Sequence, residues 1–171
     1  MAILHVHTFP DPVLRETCTE AVPGTDEIIK LADDMLETMY TAPGVGLAAP
    51  QVGVCVRMIV VDTMGNSNDS DPHILLNPEI LQADEEMIAF EEGCLSLPEL
   101  NVLIERPVMV KVRFQDLGGA HRQMVAEDLL AVAVQHEMDH LEGRLILDYA
   151  TPIRKDQYRR KVKKLLAERT T

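Results

Sequence analysis

The feature that most constrains this chain is a run of six apolar residues, 129–134, that leads directly into His136 and His140. Acidic residues precede the run, where the positive end of a helix dipole favours them. Gly143 follows it, where helices commonly end in a left-handed turn. These signals predict one helix over residues 128–142. Because its first half is apolar nearly all round, we expect this helix to be buried on most of its faces.

The two histidines of this helix are four residues apart, which puts them on the same face with a rise of roughly 6 Å. A single histidine on a helix is usually a structural residue, and the H-E-x-x-H pattern also arises by chance. Two imidazoles inside an apolar helix need polar partners, however, and a divalent metal ion can meet that need. Glu137, directly after the first histidine, is suited to act as general base and acid beside such an ion.

A catalytic site of the zinc type uses three protein ligands and keeps one position for water. Cys94 is the candidate for the third ligand. A free cysteine is most often a buried packing residue, and that is the alternative for Cys94 taken alone. Beside His136 and His140 the metal-ligand interpretation is favoured, because a metal-bound thiolate is readily held in its deprotonated form.

Three blocks of the sequence together resemble the peptide deformylase family: G-V-G-L-A-A-P-Q at 44–51, E-G-C-L-S at 92–96 and H-E-M-D-H at 136–140. The resemblance extends over nearly the whole chain and points to the bacterial members that carry a basic C-terminal helix. It implies a metal-dependent hydrolase that removes the N-formyl group from the N-terminal formylmethionine of nascent polypeptides and releases formate. It also implies one divalent ion, usually ferrous iron (Fe2+), with Zn2+ or Ni2+ as substitutes. The ligand set alone does not decide among these ions.

The resemblance also implies roles for individual residues. The three ligands would hold the ion with water in the fourth place, and Glu137 would take a proton from this water and later pass it to the leaving amine. The side-chain amide of Gln51 and the backbone N–H of Leu95 would meet the oxyanion that develops on the carbonyl under attack.

The substrate-binding residues follow from the same resemblance. The backbone of Gly46 and Gly93 would contact an extended peptide. The methionine pocket would be formed by a set of apolar side chains: Val45, Phe90, Leu129, Val132 and Ala133. For the last three of these, plain helix core is the alternative.

Weaker expectations concern residues around the ligands. Glu92, Arg106 and Asp139 are candidates for orienting the ligands, since ligating histidines usually donate their other N–H to a partner. Ordinary ion pairing is an equal alternative for Arg106. Many family members carry an arginine shortly after the cysteine block, at the rim of the cleft, whereas this chain has Glu-Leu-Asn at 99–101. Peptide preference beyond methionine is therefore left open.

Length and charge set the broad class. A chain of 171 residues predicts one metallohydrolase domain over 1–171, and its net charge of −12 argues against DNA or other nucleic-acid binding. No apolar run approaches the length of a membrane span. The N-terminus lacks a secretory signal pattern, and three cysteines without a close pair do not indicate a disulfide framework. We therefore expect a cytoplasmic protein without a membrane partner.

The C-terminal residues 153–171 are predicted to form a basic helix, since residues 154–171 contain eight Lys/Arg and only two Asp/Glu. Its apolar side would comprise Tyr158, Val162, Leu165 and Leu166. The family resemblance suggests that this helix docks at the ribosome near the exit of the nascent chain. A solvated face on an ordinary helix is the alternative.

The predicted fold class is α+β, with small antiparallel β-sheets around the buried central helix that carries HEMDH, and an N-terminal and a C-terminal helix outside. Apolar spacing predicts the N-terminal helix over 26–40, with Asp26 as its cap. The segment 54–62 is predicted to be a buried strand. Two short strands, 74–76 and 80–82, are expected on either side of Asn77 and Pro78.

Two other functions fit parts of this pattern. An H-E-x-x-H metallopeptidase normally takes its third ligand from downstream, yet residues 141–171 contain no further histidine. A structural metal protein would close its site with four protein ligands and would have no need of Gln51 or Glu137.

Overall fold

The computed structural model describes residues 2–65 and 67–169. Its helices are α1 (Asp26–Thr41), α2 (Asp128–Leu141) and α3 (Pro152–Arg169). Its strands are β1 (Gly46–Ala48), β2 (Met58–Val61), β3 (His73–Ala83), β4 (Met87–Cys94), β5 (Leu97–Pro107), β6 (Met109–Gln115) and β7 (His121–Glu127). Short 3-10 helices occupy Pro12–Arg15, Ala49–Val52 and Ile146–Tyr149. The predicted α+β class is confirmed.

A five-stranded antiparallel sheet, in the order β1-β2-β3-β6-β7, separates α1 from α2. All four residues of β2 are fully buried, and successive side chains of a strand point to opposite faces. Met58 and Val60 therefore pack with α1, whereas Ile59 and Val61 pack with α2. Since a strand buried on both faces needs apolar residues at every position, the uninterrupted apolar run of β2 is explained.

The second sheet is a long hairpin of β4 and β5. Its inner residues Val102 and Ile104 pack against Leu145 and Leu147 and against Tyr158 of α3. The pairing is regular from Met87 to Gly93 and shifts between Gly93 and Cys94. The shift places Cys94 at the end of the hairpin, beside α2.

Three local expectations were wrong in whole or in part. Of the predicted strand 54–62, only Met58–Val61 forms β2, and residues 54–57 contribute an isolated bridge between Val56 and Thr19. The N-cap of α1 is Thr25, whose hydroxyl accepts the Ile28 N–H at 3.3 Å, and Asp26 is the first helical residue. The two short strands around residues 77–78 are one strand, β3, with a register shift between Leu76 and Glu79. Asn77 adopts a φ of 51° there. Since a bulge tolerates a residue without an N–H donor, Pro78 does not end the strand.

Helix α3 is confirmed, but its apolar side was only half right. Tyr158 and Val162 are buried, whereas Leu165 and Leu166 are each 42% exposed. The end of α3 lies beyond the edge of the hairpin core, which explains this exposure. Residues 170 and 171 of the predicted helix lie outside the described residues. Within the described part of the chain, no helix combines the length and apolar character needed to cross a membrane.

Candidate metal centre

Three potential metal ligands converge where the β4–β5 hairpin meets α2. The Sγ atom of Cys94 and one ring nitrogen each of His136 and His140 all lie within 4.8 Å of one another. The Sγ atom is 3.4 Å from Nε2 of His140. The two histidines share one face of α2, as their spacing predicts. Cys94 reaches them because the hairpin turn brings it across the helix.

A buried ionic network orients His136. Its Nδ1 lies 2.8 Å from Oε1 of Glu92, which directs Nε2 towards Cys94 and His140. Arg106 donates two hydrogen bonds to Glu92, at 2.7 and 3.0 Å, and a third to Asp139 at 3.0 Å. Glu92 and Arg106 are 3% and 5% exposed. The structure thus joins the three residues expected to orient the ligands, and Arg106 is part of a buried network rather than a surface pair.

The protonation of these groups reflects their burial. Burial raises the pKa of Glu92, but hydrogen bonds from His136 and Arg106 outweigh it and leave that pKa below its ordinary value. Burial lowers the pKa of His140, and the nearby charges of His136 and Arg106 lower it further. His140 is therefore held neutral, which is the form that binds metals. Burial also lowers the pKa of His136, but the charge of Glu137 and contacts with Cys94 and Glu92 raise it well above its ordinary value.

Glu137 lies beside these ligands with the properties of an acid–base group. It is 5% exposed, and burial is the main reason that its pKa is raised to about 7. Its Oε2 atom has no hydrogen-bond partner among residues 2–65 and 67–169. A Cβ atom on Gly46 would lie 2.7 Å from Oε1 of Glu137, so a glycine is required for this close approach. The free oxygen can accept a hydrogen bond from bound water or substrate.

The ligand atoms of Cys94, His136 and His140 suit one divalent ion. A thiol and two imidazoles, gathered within 4.8 Å, form a usual ligand set for such an ion. They are the only such group of three His, Cys, Asp or Glu side chains in the described ranges. A catalytic site requires three protein ligands, and a structural site requires four. The residues therefore fit an ion with an open position.

A cleft of about 390 Å³ opens beside this centre. Its lining contains Gln51, Leu95 and Glu137 together with two of the three ligands, Cys94 and His136. It also contains every residue predicted to bind substrate: Val45, Gly46, Phe90, Gly93, Leu129, Val132 and Ala133. The structure brings these residues together, but it holds no substrate, so their individual roles stay predictions.

The cleft has a buried floor and an exposed apolar rim. Val132 and Ala133 of α2 are 3% and 4% exposed, whereas Val45, Phe90 and Leu129 are 37–43% exposed. An exposed apolar rim in three separate parts of the chain is unusual unless something covers it. Pro43, Gly44 and Glu92 complete the lining.

Gln51 is fixed by a residue that sequence reasoning missed. The Oε1 atom of Gln51 accepts the Ala48 N–H at 2.9 Å, and its Nε2 atom donates to Oγ of Ser96 at 3.0 Å. Gln51 and Ser96 are 1% and 0% exposed. Ser96 stands two residues after Cys94, and its place within the E-G-C-L-S block was the available signal in the sequence.

Comparison with known proteins gives a consistent result. The profile of the family described as "Polypeptide deformylase" matches residues 3–156. The chain is 46% identical over 166 residues to the peptide deformylase of Bartonella tribocorum, covering 96% of this chain and 93% of that protein. It is 47% identical over 165 residues to the peptide deformylase of Hyphomonas neptunium, covering 96% and 94%.

Solved structures of peptide deformylases are also similar to this chain. The chain is similar to the crystal structure of a peptide deformylase from Legionella pneumophila, with a TM-score of 0.90, 36% identity and coverage of 99% and 98%. It is also similar to the peptide deformylase from Ehrlichia chaffeensis in complex with actinonin, with a TM-score of 0.89, 37% identity and coverage of 96% and 98%. These matches span the metal centre, the cleft and the surrounding fold, and the chain belongs to the polypeptide deformylase family.

Proposed function

We propose that this chain removes the N-formyl group from the N-terminal formylmethionine of nascent polypeptides and releases formate. The proposal rests on a group of three side chains that could hold a metal, set beside a cleft that is lined by a buried carboxyl and a buried amide. This combination suits hydrolysis of a small amide. The residues 1–171 would act as one metallohydrolase domain.

Cys94, His136 and His140 would hold one divalent ion, and we take Fe2+ as the native ion, with Zn2+ and Ni2+ as substitutes. A thiolate with two imidazoles accepts each of these ions, so comparison of loaded forms decides among them. When bound, the ion supplies a Lewis acid that polarises the formyl oxygen and lowers the pKa of water. Glu92 keeps the imidazole of His136 aimed at the ion.

Glu137 would move the protons. A group with a pKa near 7 can both accept a proton from water and return it to the leaving amine at neutral pH. The close approach of the Gly46 backbone holds this carboxyl in one place.

Gln51 and Leu95 would stabilise the charge that develops on the formyl oxygen. The Gln51 side chain is already fixed by Ala48 and Ser96, and its Nε2 also donates to Sγ of Cys94 at 3.6 Å, which keeps this donor beside the proposed ligands. Gly46 and Gly93 would pair with the backbone of the peptide. The apolar lining would bury the methionine side chain, at Val45, Phe90, Leu129, Val132 and Ala133.

The basic helix α3 would dock the enzyme on the ribosome, where nascent chains emerge, in the cytoplasm. Arg159, Arg160, Lys163 and Lys164 are exposed along α3, on a chain that is acidic overall. A cationic face on an acidic protein can recognise the phosphates of ribosomal RNA.

Formate release from a formyl-Met tripeptide tests the activity. Anaerobically prepared Fe2+, Zn2+ and Ni2+ forms should each be assayed, with the acetyl-Met peptide as a substrate control. Glu137→Gln keeps the size of the side chain beside Gly46, and it should retain one ion per chain while losing roughly 10²–10⁴ in rate.

Glu127→Ala provides the matched control, because it removes an exposed carboxyl just before the same helix. Its rate should equal that of the wild type. An absence of formate release from every metal-filled form would refute the proposed activity and favour a structural metal site.

A further inference from the structure

The N-terminal segment joins the two turns that carry the proposed oxyanion donors. The backbone N–H of His7 donates to the carbonyl of Gln51 at 2.7 Å, and the N–H of Phe9 donates to the carbonyl of Ser96 at 2.8 Å. Gln51 lies in the 3-10 helix Ala49–Val52, and Ser96 lies in the turn between β4 and β5. We call residues 7–11 the clamp. One short stretch of backbone thus holds both turns.

The distance between these two turns affects the position of the two proposed oxyanion donors. The Gln51 side chain spans them, since its Oε1 accepts the Ala48 N–H and its Nε2 donates to Ser96. Leu95, whose N–H is the second proposed donor, directly precedes Ser96. A shift of one turn relative to the other would therefore change the relative position of the two donors.

The side chain of His7 anchors the clamp on one side. Its Nδ1 lies 2.7 Å from Oδ2 of Asp11. Asp11 also accepts the N–H of Val13 at 3.0 Å through Oδ1, and so caps the 3-10 helix Pro12–Arg15. The Nε2 edge of the His7 ring lies 2.9 Å from the position that a Cβ would take on Gly53. Gly53 ends the turn that carries Gln51, so the ring is wedged against that turn.

Phe9 anchors the clamp on the other side. Its ring lies 6.0 Å from the ring of Tyr158 and packs with the core beneath the β4–β5 hairpin. The clamp is thus fixed at both ends by side chains that lie outside the cleft lining.

We propose that His7 is a positioning residue for the hydrolysis. Held between Asp11 and Gly53, it keeps the clamp fixed against both turns. It thereby sets the position of the Gln51 amide relative to the Leu95 N–H. This rests on the proposed function of these two groups. Since an oxyanion exists only as the reaction proceeds, misplaced donors lower kcat and leave KM nearly unchanged.

The test compares His7→Ala with two matched variants. His7→Asn retains an amide donor in the place of Nδ1 and can still bind Asp11. His121→Ala removes an exposed histidine of β7, away from the clamp. For His7→Ala we expect kcat to fall about tenfold, in line with the large cost of small misplacements in active sites, while KM and metal content stay constant. His7→Asn should recover most of the rate, and His121→Ala should match the wild type.

A second measurement is independent of catalysis. In the zinc-loaded protein, NMR reports the amide exchange of Phe9 and the side-chain amide of Gln51. Both should be protected in the wild type and lose protection in His7→Ala. If the wild type released no formate, the proposed function would fail, yet these signals would still support or overturn the clamp.

Equal kcat values for His7→Ala and His121→Ala, or a loss of rate that only tracks the unfolded fraction, would overturn the proposal. Unchanged protection of the Gln51 side-chain amide in His7→Ala would also overturn the proposal. If His7→Ala does not fold, Asp11→Asn takes its place, because it weakens the same contact without removing the ring. A several-fold lower kcat supports the clamp, and a wild-type kcat overturns it.

Discussion

Helices α2 and α3 both support the β4–β5 hairpin, but they do so in opposite ways. Nine of the 14 residues of α2 are buried, whereas only two of the 18 residues of α3 are buried. Helix α2 contacts the hairpin through buried side chains, with Nδ1 of His136 at 2.8 Å from Oε1 of Glu92. Helix α3 contacts it at the periphery, where Tyr158 donates to the Pro98 carbonyl at 3.0 Å and Arg154 donates to the Asn101 carbonyl at 2.6 Å.

This difference indicates a division of labour within one chain. A helix buried on most faces can hold reactive groups in a fixed, dry place, and any change there disturbs many neighbours. A helix that is exposed on most faces can vary in charge at little cost in stability. We therefore expect large effects at α2 and small ones at α3.

The largest effect is expected for His140→Ala in α2. It removes one of the three proposed ligands, a histidine that is 1% exposed. Removing a residue that only orients a ligand lowers metal affinity roughly 10–100-fold. Removing the ligand itself should therefore lower metal affinity by more than about 100-fold. Elemental analysis should show nearly metal-free protein without formate release. His121→Ala, at an exposed histidine of β7, is the control. A His140→Ala protein that keeps a full ion would contradict this.

Arg106→Ala should give the largest loss of stability. It leaves the buried carboxylate of Glu92 without its cation, and breaking a buried pair costs about 3–5 kcal/mol in the free energy of unfolding. Urea unfolding measures this. Arg122→Ala breaks an exposed pair with Asp116, for which about 0–1 kcal/mol is expected. Similar decreases in the free energy of unfolding for both variants would show that the buried pair stabilises the protein no more than the exposed pair.

Tyr158→Phe should have a smaller effect. It keeps the ring in the core beneath the hairpin and removes one hydrogen bond to the Pro98 carbonyl, which is worth about 1 kcal/mol. Thermal unfolding should reveal the change, and kcat should stay within about twofold of the wild type because the carbonyl can bind water instead. A tenfold lower kcat would show that α3 takes part in shaping the metal centre.

The smallest effect on the enzyme itself is expected for Lys163→Glu combined with Lys164→Glu. Both residues are exposed, so stability should change by about 0.5 kcal/mol or less and activity should be unchanged. Co-sedimentation with ribosomes should weaken, and wild-type binding should fall as salt rises. Arg113→Glu with Arg122→Glu makes the same charge change on the β6–β7 hairpin. Equal ribosome binding by both double variants would argue against docking through α3.

Much of the metal centre could be predicted because its strongest signals are local. A four-residue spacing determines that His136 and His140 share a face whatever the rest of the chain does. The apolar run before them predicts burial for the same reason. Cys94 required more, since no local pattern links it to two histidines that lie more than 40 residues away in sequence. The family resemblance supplied that link, and the structure places Sγ 3.4 Å from His140.

The misses fall where non-local contacts override local signals. Pro78 predicted a break in β3, but Asn77 absorbs it by bonding to Ala21 and Gln115 from two other parts of the chain. Leu165 and Leu166 carry the apolar spacing of a buried face, yet the hairpin core ends before it reaches them. His5 and His7 lie two residues apart in the N-terminal segment, and only tertiary structure shows that His7 contacts Asp11 at 2.7 Å.

Local sequence is enough to specify the central helix, the two histidines on one face with a glutamate between them and the basic character of the C-terminus. These depend on helical periodicity and on charge, which are properties of neighbouring residues. Three contacts come from tertiary packing: Ser96 fixes Gln51, Arg106 is buried between Glu92 and Asp139, and His7 lies against the turn at Gly53. These contacts join residues far apart in the chain. They depend on strand register and core packing, which are set by the whole fold and not by local sequence.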